Sequence, residues 1–112
     1  MVNPLKAEKI LNFPNDKSYK ARMSLDTIIR IEQAMGMSIL KIGQKLASAE
    51  ITLLEVINIL TLAIRSGGSD IKENDVKILV SDMGLLEAIK MTGELVAMAL
   101  NVDDESSAEK KT

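Results

Sequence analysis

The stretch Thr52 to Gly68, TLLEVINILTLAIRSGG, constrains the fold more than any other part of the chain. Thr52 stands where a helix N-cap belongs, and Glu55 follows three residues later, the spacing of a capping box. Ser66-Gly67-Gly68 ends the pattern, and glycine is the usual residue of a left-handed C-terminal turn, which makes Gly67 the expected C-cap. Between these limits Glu55, Asn58, Thr61 and Arg65 recur at spacings of three and four, so they share one narrow stripe of a helix. Aliphatic residues cover the remainder. A helix with so little polar surface must be enclosed on most sides, and Leu53, Ile57, Leu60 and Ile64 are its expected core contacts.

Only 2% of the residues are aromatic, so the core must be built from Leu, Ile, Val, Met and Ala. Seven methionines suit adaptable packing surfaces and serve equally as core filler. The 112 residues fit one domain with a modest core. Cysteine and histidine are absent, which excludes a disulfide framework, a zinc finger, a Cys nucleophile and a His-based triad. A net charge of −2 argues against general nucleic-acid binding, but the charge is unevenly spread. Residues 1–30 carry six basic against three acidic residues, whereas the rest carries eight against thirteen. This asymmetry fits head-to-tail association or a plain solvated surface. The start, MVNPLKAEK, has no apolar run of the signal-peptide kind. The apolar helix is too short, and too interrupted by Glu55, Asn58 and Arg65, to span a bilayer. The expectation is a soluble cytoplasmic protein with no membrane contact.

In chain order, residues 6–23 read as a β-hairpin. Tyr19 to Met23 alternates apolar and basic, the period of a half-buried strand, and Ala7, Leu11 and Phe13 share a face of the first strand. Pro14-Asn15-Asp16-Lys17 is the turn, flanked by the two aromatics Phe13 and Tyr19, which are placed to pack across the strands. A two-stranded ribbon is marginal alone, so it should lie on the helices or pair with another subunit. Ser24 is the N-cap of a first helix to about Met35, with Leu25, Ile28, Ile29 and Met35 inward and Gly36 as its stop. Ser38 caps a short second helix carrying Ile39, Leu40, Ile42 and Leu46, weakened by Gly43. After the central helix, a fourth runs from near Glu73 to Asp82, its acidic start suited to the helix dipole. Gly84 separates it from a fifth, roughly Leu85 to Leu100. From residue 101 to 112 the composition is that of a disordered acidic tail. The fold class is thus mainly α with a small N-terminal β-hairpin, about five short helices packed as a single bundle-like domain over residues 1–100.

The third and fifth helices each have an apolar surface wider than one small core needs. Either they bury much of each other, or part of that surface meets a partner. Met91, Leu95 and Met98 on the fifth helix are the candidate partner-binding residues. No catalytic, cofactor or metal site emerges. Gly67-Gly68 lacks the spaced glycines and the Lys-Ser/Thr of a P-loop, and Glu73, Asp75 and Asp82 do not have EF-hand spacing. A helix-turn-helix DNA-binding regulator is the weakest alternative: its recognition helix would offer only Lys41, Gln44 and Lys45.

The motifs taken in order resemble the gene transfer agent family of small tail proteins, which are similar to the tail assembly chaperones of long-tailed phages. They run from the NPLKAE opening at Asn3-Pro4 through the hairpin end Met23-Ser24-Leu25 and the helix end Ile31-Glu32-Gln33-Ala34-Met35-Gly36. Ala63-Ile64-Arg65-Ser66-Gly67-Gly68, Ile71 to Val76 and Met83-Gly84-Leu85 follow. Ser69-Asp70 depart from the family, which has a third glycine or a basic residue there. The resemblance implies a non-enzymatic, homo-oligomeric chaperone that binds the tape-measure protein and keeps it soluble before the tail tube polymerises. The alternative is a structural tail or connector component of the particle.

Overall fold

The central stretch does form the hub of the molecule. In a computed structural model, which describes residues 8–101 in full, Leu53–Ser66 is helix α3, and it packs mainly against four other elements. In chain order these elements are strands β1 (Glu8–Phe13) and β2 (Lys17–Arg22), then helices α1 (Leu25–Met35), α2 (Ile39–Ala47), α3, α4 (Glu73–Met83) and α5 (Leu85–Lys111). Strand β2 and helices α1, α4 and α5 surround α3, and α2 closes the bundle against α5 and α1. The tail expected from residue 101, the expected hairpin start near residue 6 and the NPLKAE opening fall largely or wholly outside the residues described in full.

The hairpin is antiparallel, with Glu8 opposite Arg22 and Phe13 opposite Lys17. Its turn places Asn15 at φ 66° and Asp16 at φ 59°, the left-handed region these two residue types tolerate best. Phe13 and Tyr19 pack edge to face, centroids 6.0 Å apart. Alternation sends Leu11, Phe13 and Ala21 into the core and turns Ile10, Lys20 and Arg22 outward.

The caps follow from side-chain chemistry. Ser24 Oγ accepts the Thr27 N–H at 3.3 Å, and Ser38 Oγ that of Lys41 at 3.1 Å. Glu32 Oε2 accepts the Ile39 N–H at 2.9 Å, so α1 itself satisfies one of the free donors of α2. At Thr52 the capping box is complete: Thr52 Oγ1 accepts from the Glu55 N–H at 3.2 Å, and Glu55 Oε1 accepts from the Thr52 N–H at 2.8 Å. Lys45, in the last turn of α2, donates to both Glu55 oxygens at 2.8 and 2.7 Å. Burial by itself would raise the Glu55 carboxyl, but the Lys45 and Thr52 hydrogen bonds outweigh it and hold the group below the usual glutamate value.

Gly67 caps α3 for a reason different from the expected one. Its φ is −77°, so it is not the left-handed residue; Gly68, at φ 112°, is. What requires glycine at 67 is proximity: a Cβ there would fall onto the Lys20 carbonyl oxygen of β2. The close of the central helix and the seat of the hairpin are therefore one contact.

Three expectations need correcting. Ile57, Leu60 and Ile64 are enclosed, but Leu53 is 49% exposed, because the first turn of α3 projects past its neighbours. Thr61, placed on the polar stripe, is buried; its hydroxyl donates to the Ile57 carbonyl at 2.7 Å, a bond that lets it sit in an apolar core. On α1 Ile28 and Met35 pack against the core as expected, beside the buried Thr27 and Ile31, but Leu25 is 74% exposed and Ile29 is also exposed. The Thr27 hydroxyl bonds to that of Ser66, which puts Thr27 on the side of α1 that faces α3.

Two outcomes follow. Gly67→Ala should lower stability by about 2 kcal/mol, because the new methyl must push β2 away. Gly93→Ala, in open space on α5, should raise it by about 0.5 kcal/mol; urea unfolding measures both. The Glu55 contribution is complete above the unfolded glutamate pKa and is lost as pH falls through its lowered folded value. Urea midpoints measured from neutral to acidic pH should therefore fall less steeply for Glu55→Gln than for the parent in that acid range.

Candidate docking surface

The exposed aliphatic residues concentrate where α3 begins and α4 passes into α5. Leu53 and Ile57 from α3, Lys77, Val80 and Ser81 from α4, and Gly84 and Leu85 at the junction line a groove of about 420 Å³. The junction is abrupt. Gly84 donates to the Val80 carbonyl at 2.9 Å and its own carbonyl accepts from Ala88 at 3.0 Å, so one helix stops and the next starts on a single residue. That residue has φ 98°, which favours glycine. Leu86, which follows the lining residue Leu85, is 82% exposed, and Leu54 and Ile78, which follow Leu53 and Lys77 in sequence, are also exposed. Adjacent leucines on a helix point about 100° apart, so Leu53-Leu54 and Leu85-Leu86 cannot both bury both members in one layer.

The Lys45–Glu55 pair fixes this end of the molecule. It ties the last turn of α2 to the first turn of α3, with side chains only 23% and 15% exposed. The two leucines ahead of Glu55 are thereby held at the surface.

The residues expected to grip a partner lie elsewhere. Leu95 is fully enclosed, and Met91 and Met98 are half-buried and packed against the core. Helix α2 covers this part of α5 at Gly43, where a Cβ would make ordinary van der Waals contact with Leu100 Cδ1 at 3.5 Å. The glycine that weakened the second helix in sequence terms thus faces α5, with room there for a methyl group. A shallower apolar depression of about 330 Å³, including Leu46, Ile89 and Val96, remains between α2 and α5. Leucine pairs bordering Thr52 and Gly84 were the sequence signal that pointed to the real exposed surface.

A third, polar depression is lined by Asp26, Thr27, Arg30, Arg65 and Ser66. Arg30 Nε pairs with Asp26 at 3.1 Å, and Arg65 Nε donates to the Ile71 carbonyl at 2.8 Å. These groups satisfy one another and tie loops; they form no nucleophile–base arrangement. Among the described residues no three of His, Cys, Asp or Glu come together in a way that could hold a metal ion, and no helix is long and apolar enough to cross a membrane.

Fold and surface together define a small helical packing module with an open aliphatic groove and, among the described residues, no constellation of reactive groups. Comparison with known families is more specific: residues 9–102 match the family described as phage tail tube protein, GTA-gp10, and the chain belongs to that family. It is a tail protein of a phage or gene transfer agent, from a family described by its place in the tail and not by an enzymatic reaction. No curated protein and no solved structure matches the chain.

The groove predicts a separation of effects. Leu86→Asp should change unfolding free energy by no more than about 0.5 kcal/mol, since the side chain is already in water. Leu95→Asp buries an unpaired carboxylate and should abolish cooperative unfolding. Circular dichroism melts of the two variants check this.

Proposed function

We propose that this protein is a structural component of a phage-like tail that joins another tail protein through the groove between α3, α4 and α5. The observation that carries the reading is the clustering of Leu53, Leu85 and Leu86, exposed around one groove in a chain whose family is a tail family. Aliphatic side chains in water are a cost to a folded monomer, and covering them releases about 25 cal/mol per Å² of apolar surface. The description of the family as a tail tube protein favours a subunit that stays in the particle.

A second reading rests on the character of the same surface. The groove is aliphatic, with Lys77 as its one charged lining residue, and so offers grip without fixed polar geometry. That suits a chaperone which holds the apolar tape-measure protein in solution before the tube polymerises and then leaves.

Co-expression with the tail proteins encoded alongside it separates these readings. A structural component should be found in purified particles at stoichiometric amounts, and Leu86→Asp should reduce its incorporation. If the protein is instead absent from finished particles and co-purifies with soluble tape-measure protein, the chaperone reading replaces the structural one. If it does neither, both fall.

A further inference from the structure

The apolar depression between α2 and α5 is left open by every described element. Gly43, Leu46, Ile89, Gly93, Val96 and Ala97 are among its lining residues, and Lys90 is the one charged group there. Gly93 and Ala97 are four residues apart, so they stack on one face of α5. They keep its rim low: a Cβ at Gly93 would meet nothing within 4 Å. The chain enters the described structure beside this rim. Lys9, in β1, meets Glu94 at 3.2 Å, and Glu94 adjoins Gly93. Leu11 and Phe13 are buried, Lys9 shares their side of the strand, and Ile10 and Asn12 are exposed. The same period of two assigns Ala7 and Leu5 to the side of Lys9 and Lys6 to the opposite side. At about 3.3 Å per residue, an extended chain takes Leu5 up to about 13 Å from Lys9. A helix is about 10–12 Å across with its side chains, so that reach spans α5. Pro4 has no N–H and ends the pattern. The other end of the chain does not compete for the depression. Helix α5 runs on to Lys111 and carries that end away, and Val102 and Ala108 are the only apolar residues from 102 to 112.

We propose that residues 4–7 form an arm that crosses α5 at Gly93 and Ala97 and seats Leu5 in the depression between α2 and α5 of the same chain. Leu5 fills the space between Leu46, Ile89 and Val96, Ala7 lies over the low rim, and Lys6 points to water. The Lys9–Glu94 pair fixes where the arm leaves β1 and aims it at this face of α5. Seating the leucine removes apolar surface from water on both sides of the contact, which is what drives the arm down. A long side chain at Gly93 or Ala97 would block the crossing. The arm closes this hollow from within, whereas the groove between α3, α4 and α5 stays open to whatever docks there.

The chain contains no cysteine, so introduced thiols can pair only with each other. The test compares two variants of the full chain under oxidised glutathione. One carries Leu5→Cys and Ala97→Cys, the other Leu5→Cys and Ser81→Cys. Ala97 and Ser81 are both exposed, and Ser81 lines the other groove. A disulfide forms only when the two Cα atoms come within about 7 Å. Circular dichroism confirms that both variants are folded. The Ala97 pair should close within one molecule at least about tenfold faster than the Ser81 pair, because docking raises the effective concentration of one thiol at the other. Intact mass and non-reducing gels read the rates. Equal rates mean an arm that docks in neither place, and a faster Ser81 pair means that it lies in the other groove. Links between molecules mean that the hollow takes the arm of a second copy. Each of these overturns the proposal. As an independent measure, Leu5→Ser should lower the urea midpoint and Lys6→Ser should leave it unchanged; equal midpoints for the two also overturn it.

Discussion

The architecture depends on enclosing α3. Seven of its fourteen residues are buried, among them Ile57, Ile59, Leu60 and Ile64, and burying one such side chain is worth roughly 2 kcal/mol. An almost wholly apolar helix has no stable place at the edge of a bundle, so β2, α1, α4 and α5 must all reach it. With two aromatics in the chain, contact has to come from many close aliphatic approaches instead of a few large rings. Gly67 against Lys20 is where side-chain volume is given up to bring two elements that close.

Local chemistry was legible in the sequence because it acts over a few residues. Ser24, Ser38 and Thr52 cap helices through their own oxygens, Glu55 completes its box from three residues away, and the Asn15-Asp16 turn follows from left-handed tolerance. Periodicity gave the hairpin and the order of the helices to within a residue or two over α1, α3 and α4. It did not give rotation. Leu25 and Ile29 are as apolar as Ile31, and which of them faces in is set by contacts with α3, distant in sequence, among them the Thr27–Ser66 link. Leu95 was misread for the same reason: a helix that is apolar all round does not state which side its neighbours take.

Among the described residues, two of the three buried polar ones, Thr61 and Thr92, are satisfied in the same way. Thr61 and Thr92 are buried on the two widest apolar helices, and each donates to the carbonyl four residues earlier, at 2.7 and 2.8 Å. The hydroxyl is satisfied within its own helix, so it needs no partner across the interface and leaves the packing surface effectively aliphatic. Among the described residues no buried side-chain nitrogen or oxygen is without a hydrogen bond. Apart from the Thr27–Ser66 bond between α1 and α3, the core is therefore specified by shape and not by a polar network.

The open groove is a consequence of the same economy. The capping box and Lys45 fix the first turn of α3, and Gly84 fixes the point at which α4 becomes α5. Leu53 and Leu85 are held at the two lips, and neither helix end can rotate to bury its leucines without breaking a cap. A chain of this size has little surplus structure with which to cover them. Leu86, at 82% exposure, is the extreme case. The interior of α3 sets stability, while its first turn, locked by polar bonds, holds aliphatic side chains at the surface. Caps that look like ends of local structure are thus what keep the groove in place.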